Sequence, residues 1–222
     1  MLQHMSYDGH RATFAAAQTS AKRLTAARGK EMQVIAITGG KGGVGKTNIA
    51  VNLAVSMSME GLDVMLFDAD LGLANVDVVL GMQIKHTLAD VISGEKTLAD
   101  VVVDGPEGVR VIPAASGVSQ MVEMQKTQQE TLIRQLSDQL MPPDVLIVDT
   151  GAGIDQTVQT FVAACESAVL VVCDEPASLT DAYALMKVLR AKKDLRRFEI
   201  LANQVDNPLQ GKQLFERIAN VC

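Results

Sequence analysis

At 222 residues with 48% apolar content, the chain has the material for one sizeable core and is expected to build a single principal domain. No window approaches the roughly 18 uninterrupted apolar residues of a membrane span, and the N-terminus has no apolar stretch leading to a small-residue cleavage site, so a spanning or secreted protein is not expected. The formal net charge is −6, and residues 1–30 carry five Lys or Arg against one acid, which leaves an acidic body that repels a nucleic-acid backbone.

Residues 1–32 lack strand patterning and are expected to form an N-terminal arm. Phe14, Ala17, Ala21 and Leu24 recur at helical spacing with Lys22 and Arg23 alongside. Residues 13–27 therefore read either as a weak amphipathic helix formed on a partner or as a solvated arm.

From Gln33 onward, strand and helix patterns alternate, and residues 33–222 are expected to form one domain. Residues 34–38 are an apolar strand, and Ile49, Leu53 and Met57 make the stripe of a helix that Gly61 stops. Between them lies GGKGGVGKT at 39–47, which from Gly40 fits the phosphate-binding spacing G-x-x-x-x-G-K-[ST] in its strand-to-helix setting. A loop wrapped around a polyphosphate must turn several backbone N–H groups inward, and Gly42, Gly43 and Gly45 are the residues that tolerate such dihedrals. The amides of Gly40 to Asn48, Lys41 and Val44 among them, run into the positive end of the helix. Lys46 is expected on the β/γ-phosphates and Thr47 on Mg²⁺.

Residues 64–68 form a second buried strand, and its carboxyl end delivers Asp68 and Asp70, where an α/β sheet gathers its ligand chemistry. Thr87-Leu88-Ala89-Asp90-Val91 returns at 97–101 as Thr97-Leu98-Ala99-Asp100-Val101. Two copies are too few for a solenoid and read as two short helical turns around Gly94. His86 beside them is assigned no role. Residues 109–112 are a short strand, a linker rich in Met and Gln follows with Met121 and Met124, and Leu132, Leu136 and Leu140 mark a helix ended by Pro142-Pro143.

Val145-Leu146-Ile147-Val148-Asp149 is an apolar run closed by an acid, so Asp149 can hold a Mg²⁺ water near Thr47. Residues 168–173 are another strand, followed by a helix to about residue 192 that either Ser178 or Thr180 could cap. Glu175 reads as a solvated acid or as a nucleotide or partner contact. Residues 198–202 are the last strand, with Asn203 at its tip and a helix over 208–220 beyond it. The amide of Asn203 can donate and accept at once, which suits the N6/N7 edge of adenine. The three cysteines, Cys165, Cys173 and Cys222, have no metal-ligand spacing and read as reduced thiols of a cytoplasmic protein. The whole predicts an α/β fold: a mostly parallel twisted sheet of about seven strands with helices on both faces, binding ATP and Mg²⁺ at the carboxyl ends of the strands.

Lys41 sits where an ordinary phosphate loop is indifferent, and KGGVGKT at 41–47 is the deviant Walker A signature. On it the chain resembles the family of MinD, ParA and the nitrogenase iron protein. It looks most like the FlhG/FleN (YlxH) flagellar-number branch, through DADLGLANVDVVLG at 68–81, VIPAASG at 111–117, VDTGAGI at 148–154, VVCDEPASLTDAYALMK at 171–187 and ILAN at 200–203.

The resemblance implies an ATP-dependent sandwich homodimer in which Lys41 reaches the partner's nucleotide. It places Asp70 on the attacking water, Asp68 in the Mg²⁺ shell, Asn75 toward the dimer partner, Gly153 in a mobile switch and Asn203 on the base. It implies slow hydrolysis that controls flagellar number and placement, with an FlhF-like GTPase, C-ring components or a flagellar transcription regulator as partners and no direct nucleic acid. DNA-segregating or division-site ATPases are the alternative within the family, and a metabolic kinase would need an acceptor pocket that the sequence does not display. Family members also carry a further strand, helices and an amphipathic membrane-binding helix after the region matched by 33–222. The chain as given is thus not expected to bind lipid strongly, although the family is peripheral at the inner membrane or cell pole. The family's N-terminal Asp-Gln-Ala-x-x-Leu-Arg element, which stimulates FlhF, is met at 17–23 only by Gln18 and Arg23.

Overall fold

The computed structural model describes residues 32–114, 126–137, 142–193 and 198–220. Strand β1 (Gln33–Gly39) lies between β5 (Val145–Ala152) and β6 (Ser167–Val172), both parallel to it. Outside β5 come β2 (Val64–Ala69), β4 (Arg110–Ile112) and the two-residue β3 (Val103–Asp104), and outside β6 comes β7 (Phe198–Ala202). The seven described strands thus run β3-β4-β2-β5-β1-β6-β7, parallel except where β3 meets β4.

The inner strands read as apolar runs because helices cover both of their faces. Every residue of β2 is buried, and so are the first six of β5. Alternation divides them between two cores. Val64 and Leu66 point to Ala50, Val51, Ala54 and Met57 of α1 (Lys46–Met59). Met65 and Phe67 point the other way, to a core shared by α5 (Lys126–Ser137), α6 (Gln156–Ala163), α7 (Pro176–Lys193) and α8 (Pro208–Ala219). There the Phe67 and Phe161 rings meet edge to face, with centroids 5.5 Å apart and planes at 70°, a geometry that adds about 0.5–1.5 kcal/mol to simple burial.

Three short helices fill the span from β2 to β3: α2 (Val76–Leu80), α3 (Leu88–Ile92) and α4 (Leu98–Val101). The sequence echo becomes α3 and α4, and each opens on a full capping box, Thr87 with Asp90 and Thr97 with Asp100. Each box satisfies two otherwise orphaned amides, which lets helices of five and four residues persist.

Some expectations shift. Neither Ser178 nor Thr180 caps α7, because that helix begins earlier, at Pro176, whose fixed φ suits a first helical position. Ser178 is buried, and its hydroxyl accepts from the Cys173 amide at 3.1 Å, whereas Thr180 donates to the Pro176 carbonyl at 3.0 Å. Helix α2 and strand β3 were not legible as elements. Residues 1–31 of the arm expected at 1–32, with Met121, Met124, Leu140 and Cys222, lie outside the described residues.

Candidate nucleotide site

The loop leaving β1 is shaped by close approaches that only glycine permits. A Cβ on Gly40 would lie 2.4 Å from the Asp181 Cβ and 2.5 Å from its carbonyl carbon, so the backbone of α7 presses directly on the start of the loop. At its end Gly45 takes φ +94° and opens α1, and a Cβ there would stand 2.5 Å from Nδ2 of Asn203. Between them Val44, 1% exposed, anchors the loop in the α1-side core, while Gly42 and Gly43 face solvent. Asn48 is exposed on the first turn of α1, where its carbonyl accepts from Asn52 at 2.7 Å.

Lys46 is 8% exposed, and its stem passes the backbone of Gly39. Burial lowers the pKa of its ammonium, against the pull of Asp149 and Asp70, the two carboxylates that reach it electrostatically. A buried cation whose acidic neighbours are one residue of β5 and one on the turn after β2 is suited to an anion, since an anion entering the loop would offset the cost of burying the charge.

The acids divide the labour. Asp68 and Asp149 are direct neighbours across β2 and β5. Asp68 accepts from the amides of Asp70 at 3.0 Å, Asn75 at 3.1 Å and Val76 at 3.2 Å, so it staples the β2–α2 turn. Burial, then the charge of Asp149, pushes its carboxyl up to about 7 in spite of those amides. Burial likewise pushes Asp149 up to about 6, opposed by the Thr47 hydroxyl and by Lys46.

Asp149 keeps a buried Oδ1 with no hydrogen-bond partner. An orphaned carboxylate oxygen beside a threonine hydroxyl fits Mg²⁺ or one of its waters, so Thr47 and Asp149 are the residues suited to hold the ion. Asp68, with both oxygens on amides, supports the turn behind them. Asp70, which that turn carries, accepts from the Leu73 amide at 3.1 Å and lies against Gly151, where an added Cβ would come within 3.3 Å of its Oδ1. The turn also fixes Asn75, whose side chain donates to the Leu73 carbonyl.

At the rim Lys41 is ion-paired with Glu175, just before α7, and the pair raises the lysine and lowers the acid from their ordinary values. Gly153, at φ +104°, donates its amide to the Gly39 carbonyl at 3.2 Å and so ties the end of β5 to the loop. Asn203 stands on the far side, its Nδ2 donating to the Val44 carbonyl at 2.8 Å. Sequence reasoning missed Gln204, whose Nε2 donates to the Gly43 carbonyl at 3.2 Å. Thr150 lay within the VDTGAGI match, but its contact was not read there: its hydroxyl donates to that of Thr38 at 3.0 Å and links β5 to β1 beneath the site. His86 faces Asp90 at 3.8 Å, away from this constellation.

Comparison with known proteins agrees with this geometry. Residues 32–200 match the family model described as an AAA domain. The chain is 54% identical over 190 residues to the antiactivator FleN of Pseudomonas aeruginosa, covering 86% of this chain and 68% of that protein. It is 37% identical over 188 residues to the flagellum site-determining protein YlxH of Helicobacter pylori, covering 85% and 63%. The chain therefore spans roughly two thirds of the length of these relatives. Among solved structures, the septum site-determining protein MinD of Pyrococcus horikoshii complexed with Mg-ADP superposes with a TM-score of 0.69 at 27% identity, over 83% of this chain and 77% of that one.

Proposed function

The chain belongs to the MinD/ParA family of P-loop ATPases, in its FlhG/FleN branch, and from that premise we propose that it is a dimerising ATP switch controlling flagellar number and placement. The observation that carries this reading is the convergence on one glycine-lined turn of a buried cation, Lys46, an orphaned Asp149 oxygen beside Thr47, and Asp70 on a stapled turn. Lys46 and the loop amides bind the polyphosphate, and Asp70 orients the attacking water in line with the γ-phosphate. Thr47 and Asp149 would hold Mg²⁺, which when bound would supply charge neutralisation to the polyphosphate. Lys41 stands outside this set, in an ion pair that a partner's phosphates can replace, and Asn203 lies beside the loop where the base would pack.

The names of the two relatives, an antiactivator and a flagellum site-determining protein, favour a flagellar output through an FlhF-like GTPase, C-ring components or a flagellar transcription regulator. Among the described residues no helix is long and apolar enough to cross a membrane, and the membrane association that goes with this reading is peripheral, at the inner membrane or cell pole. Division-site placement is the second reading, favoured by the likeness to MinD. The test is copurification with Asp70→Ala, a variant expected to bind ATP, remain dimeric and lose turnover. Recovery of flagellar partners supports the flagellar switch. Recovery of division proteins alone moves the assignment to the second reading, and unchanged hydrolysis removes Asp70 from its role.

A further inference from the structure

Two side-chain amides from the tip of β7 grip the phosphate loop from outside. Nδ2 of Asn203 donates to the Val44 carbonyl at 2.8 Å and Nε2 of Gln204 to the Gly43 carbonyl at 3.2 Å. A trans peptide is planar, so the carbonyl of one residue and the N–H of the next point in opposite directions. Drawing the Gly43 and Val44 carbonyls outward therefore turns the N–H groups of Val44 and Gly45 inward, toward the position of a bound phosphate. The flanking glycines make this control necessary. Gly43 and Gly45 sit at φ +77° and +94°, and peptides beside glycine flip at little cost.

The gripping residues are themselves held. The Asn203 amide donates to the Val172 carbonyl of β6 at 2.8 Å. Gln204 takes φ +56°, a left-handed conformation that a non-glycine residue adopts at a cost and that the surroundings must impose. That backbone turn is what aims its amide at the loop. Further along, in the first turn of α8, Gln210 bridges the Asp206 amide and the Asp174 carboxylate, which also pairs with Arg217, so α8 is pinned to the end of β6.

We propose that Gln204, with Asn203, is a positioning residue that fixes the peptides of Gly43 and Val44 in the phosphate-binding orientation. Its strained backbone is kept because it delivers that donor. The inference rests on the ATPase reading and adds to it a residue outside the loop motif on which affinity depends.

The test compares Gln204→Gly and Gln204→Glu with wild type, measuring MgADP affinity, KM and kcat for ATP, and Tm without nucleotide. Glycine relieves the left-handed strain while removing the donor, so its nucleotide-free Tm is expected at or above wild type while MgADP binds about three- to tenfold more weakly, the worth of one net hydrogen bond. Glutamate keeps the length but offers an acceptor to a carbonyl, and is expected to weaken binding at least as much. KM should rise in both with kcat within about twofold, the signature of lost binding shared by ground and transition states. Wild-type affinity in either variant overturns the proposal, and so does a loss of affinity in Gln204→Gly that comes with a lower nucleotide-free Tm. Failure of wild type itself to bind MgADP would instead strike the ATPase reading on which the proposal rests.

Discussion

Asp68 and Asp149 face each other across neighbouring strands, yet their surroundings set them to different tasks. The first is saturated by three amides and the second keeps a bare oxygen beside Thr47. Two buried neighbouring carboxyls resist double ionisation, and a cation bound beside them would relieve that stress.

The folded protein holds these protons up to about 7 and about 6, whereas the unfolded chain releases them near the ordinary value of 3.8. Between those limits the native state binds more protons, so stability is full at the acid end and falls as pH rises through the folded values. Without Mg²⁺ or nucleotide, this pair is expected to make the fold more stable at pH 5.5 than at pH 8, by roughly a few kcal/mol in all, and Tm to be higher at the lower pH accordingly. Asp149→Asn should raise the nucleotide-free Tm at pH 8 while abolishing Mg²⁺-dependent hydrolysis. Thermal melts against pH, with and without MgADP, check both. A nucleotide-free Asp149→Asn protein less stable than wild type at pH 8 would contradict the account.

Lys41 and Glu175 make an exposed pair, and exposed pairs contribute little to stability. Glu175→Gln is accordingly expected to leave Tm unchanged. Lys41→Ala is expected to retain nucleotide but to sediment as a monomer with ATP. A dimer persisting in that variant would show that Lys41 does not serve a neighbouring molecule.

Gly40 and Gly42 should part company under substitution. Gly40→Ala forces backbone or side-chain movement against Asp181, whereas an added Cβ at Gly42 meets only Ala152, at 4.0 Å. The first is expected to cost about 1–3 kcal/mol, which for a chain of this size lowers Tm by roughly 2–4 °C per kcal/mol. The second should melt like wild type. Differential scanning calorimetry of the two variants decides, and equal melting points would mean that α7 does not press on the loop.

Much of this was legible in the sequence for physical reasons. GGKGGVGKT at 39–47, the acid closing Val145 to Asp149, and the apolar runs of buried parallel strands are constraints that local chemistry writes directly into residue type. The capping boxes at Thr87 and Thr97 were also written there, as T-x-x-D. Other features depend on what the fold brings together. Asp68 and Asp70 look alike in Asp-x-Asp, and only the amides of Asn75 and Val76 make the first a staple. Gln204 lies some 160 residues from Gly43, and no local pattern announces that contact. Gly40 matched the loop motif, but the pressure of Asp181 on it is tertiary.

A glycine-lined turn and a buried Lys46 are proposed to grip a nucleotide polyphosphate. Calorimetric titration with MgADP and MgATP measures that grip directly. Saturable binding by wild type, lost in Lys46→Ala with the fold intact by circular dichroism, is the predicted result. No heat from wild type at saturating nucleotide, or equal binding by Lys46→Ala, would contradict it.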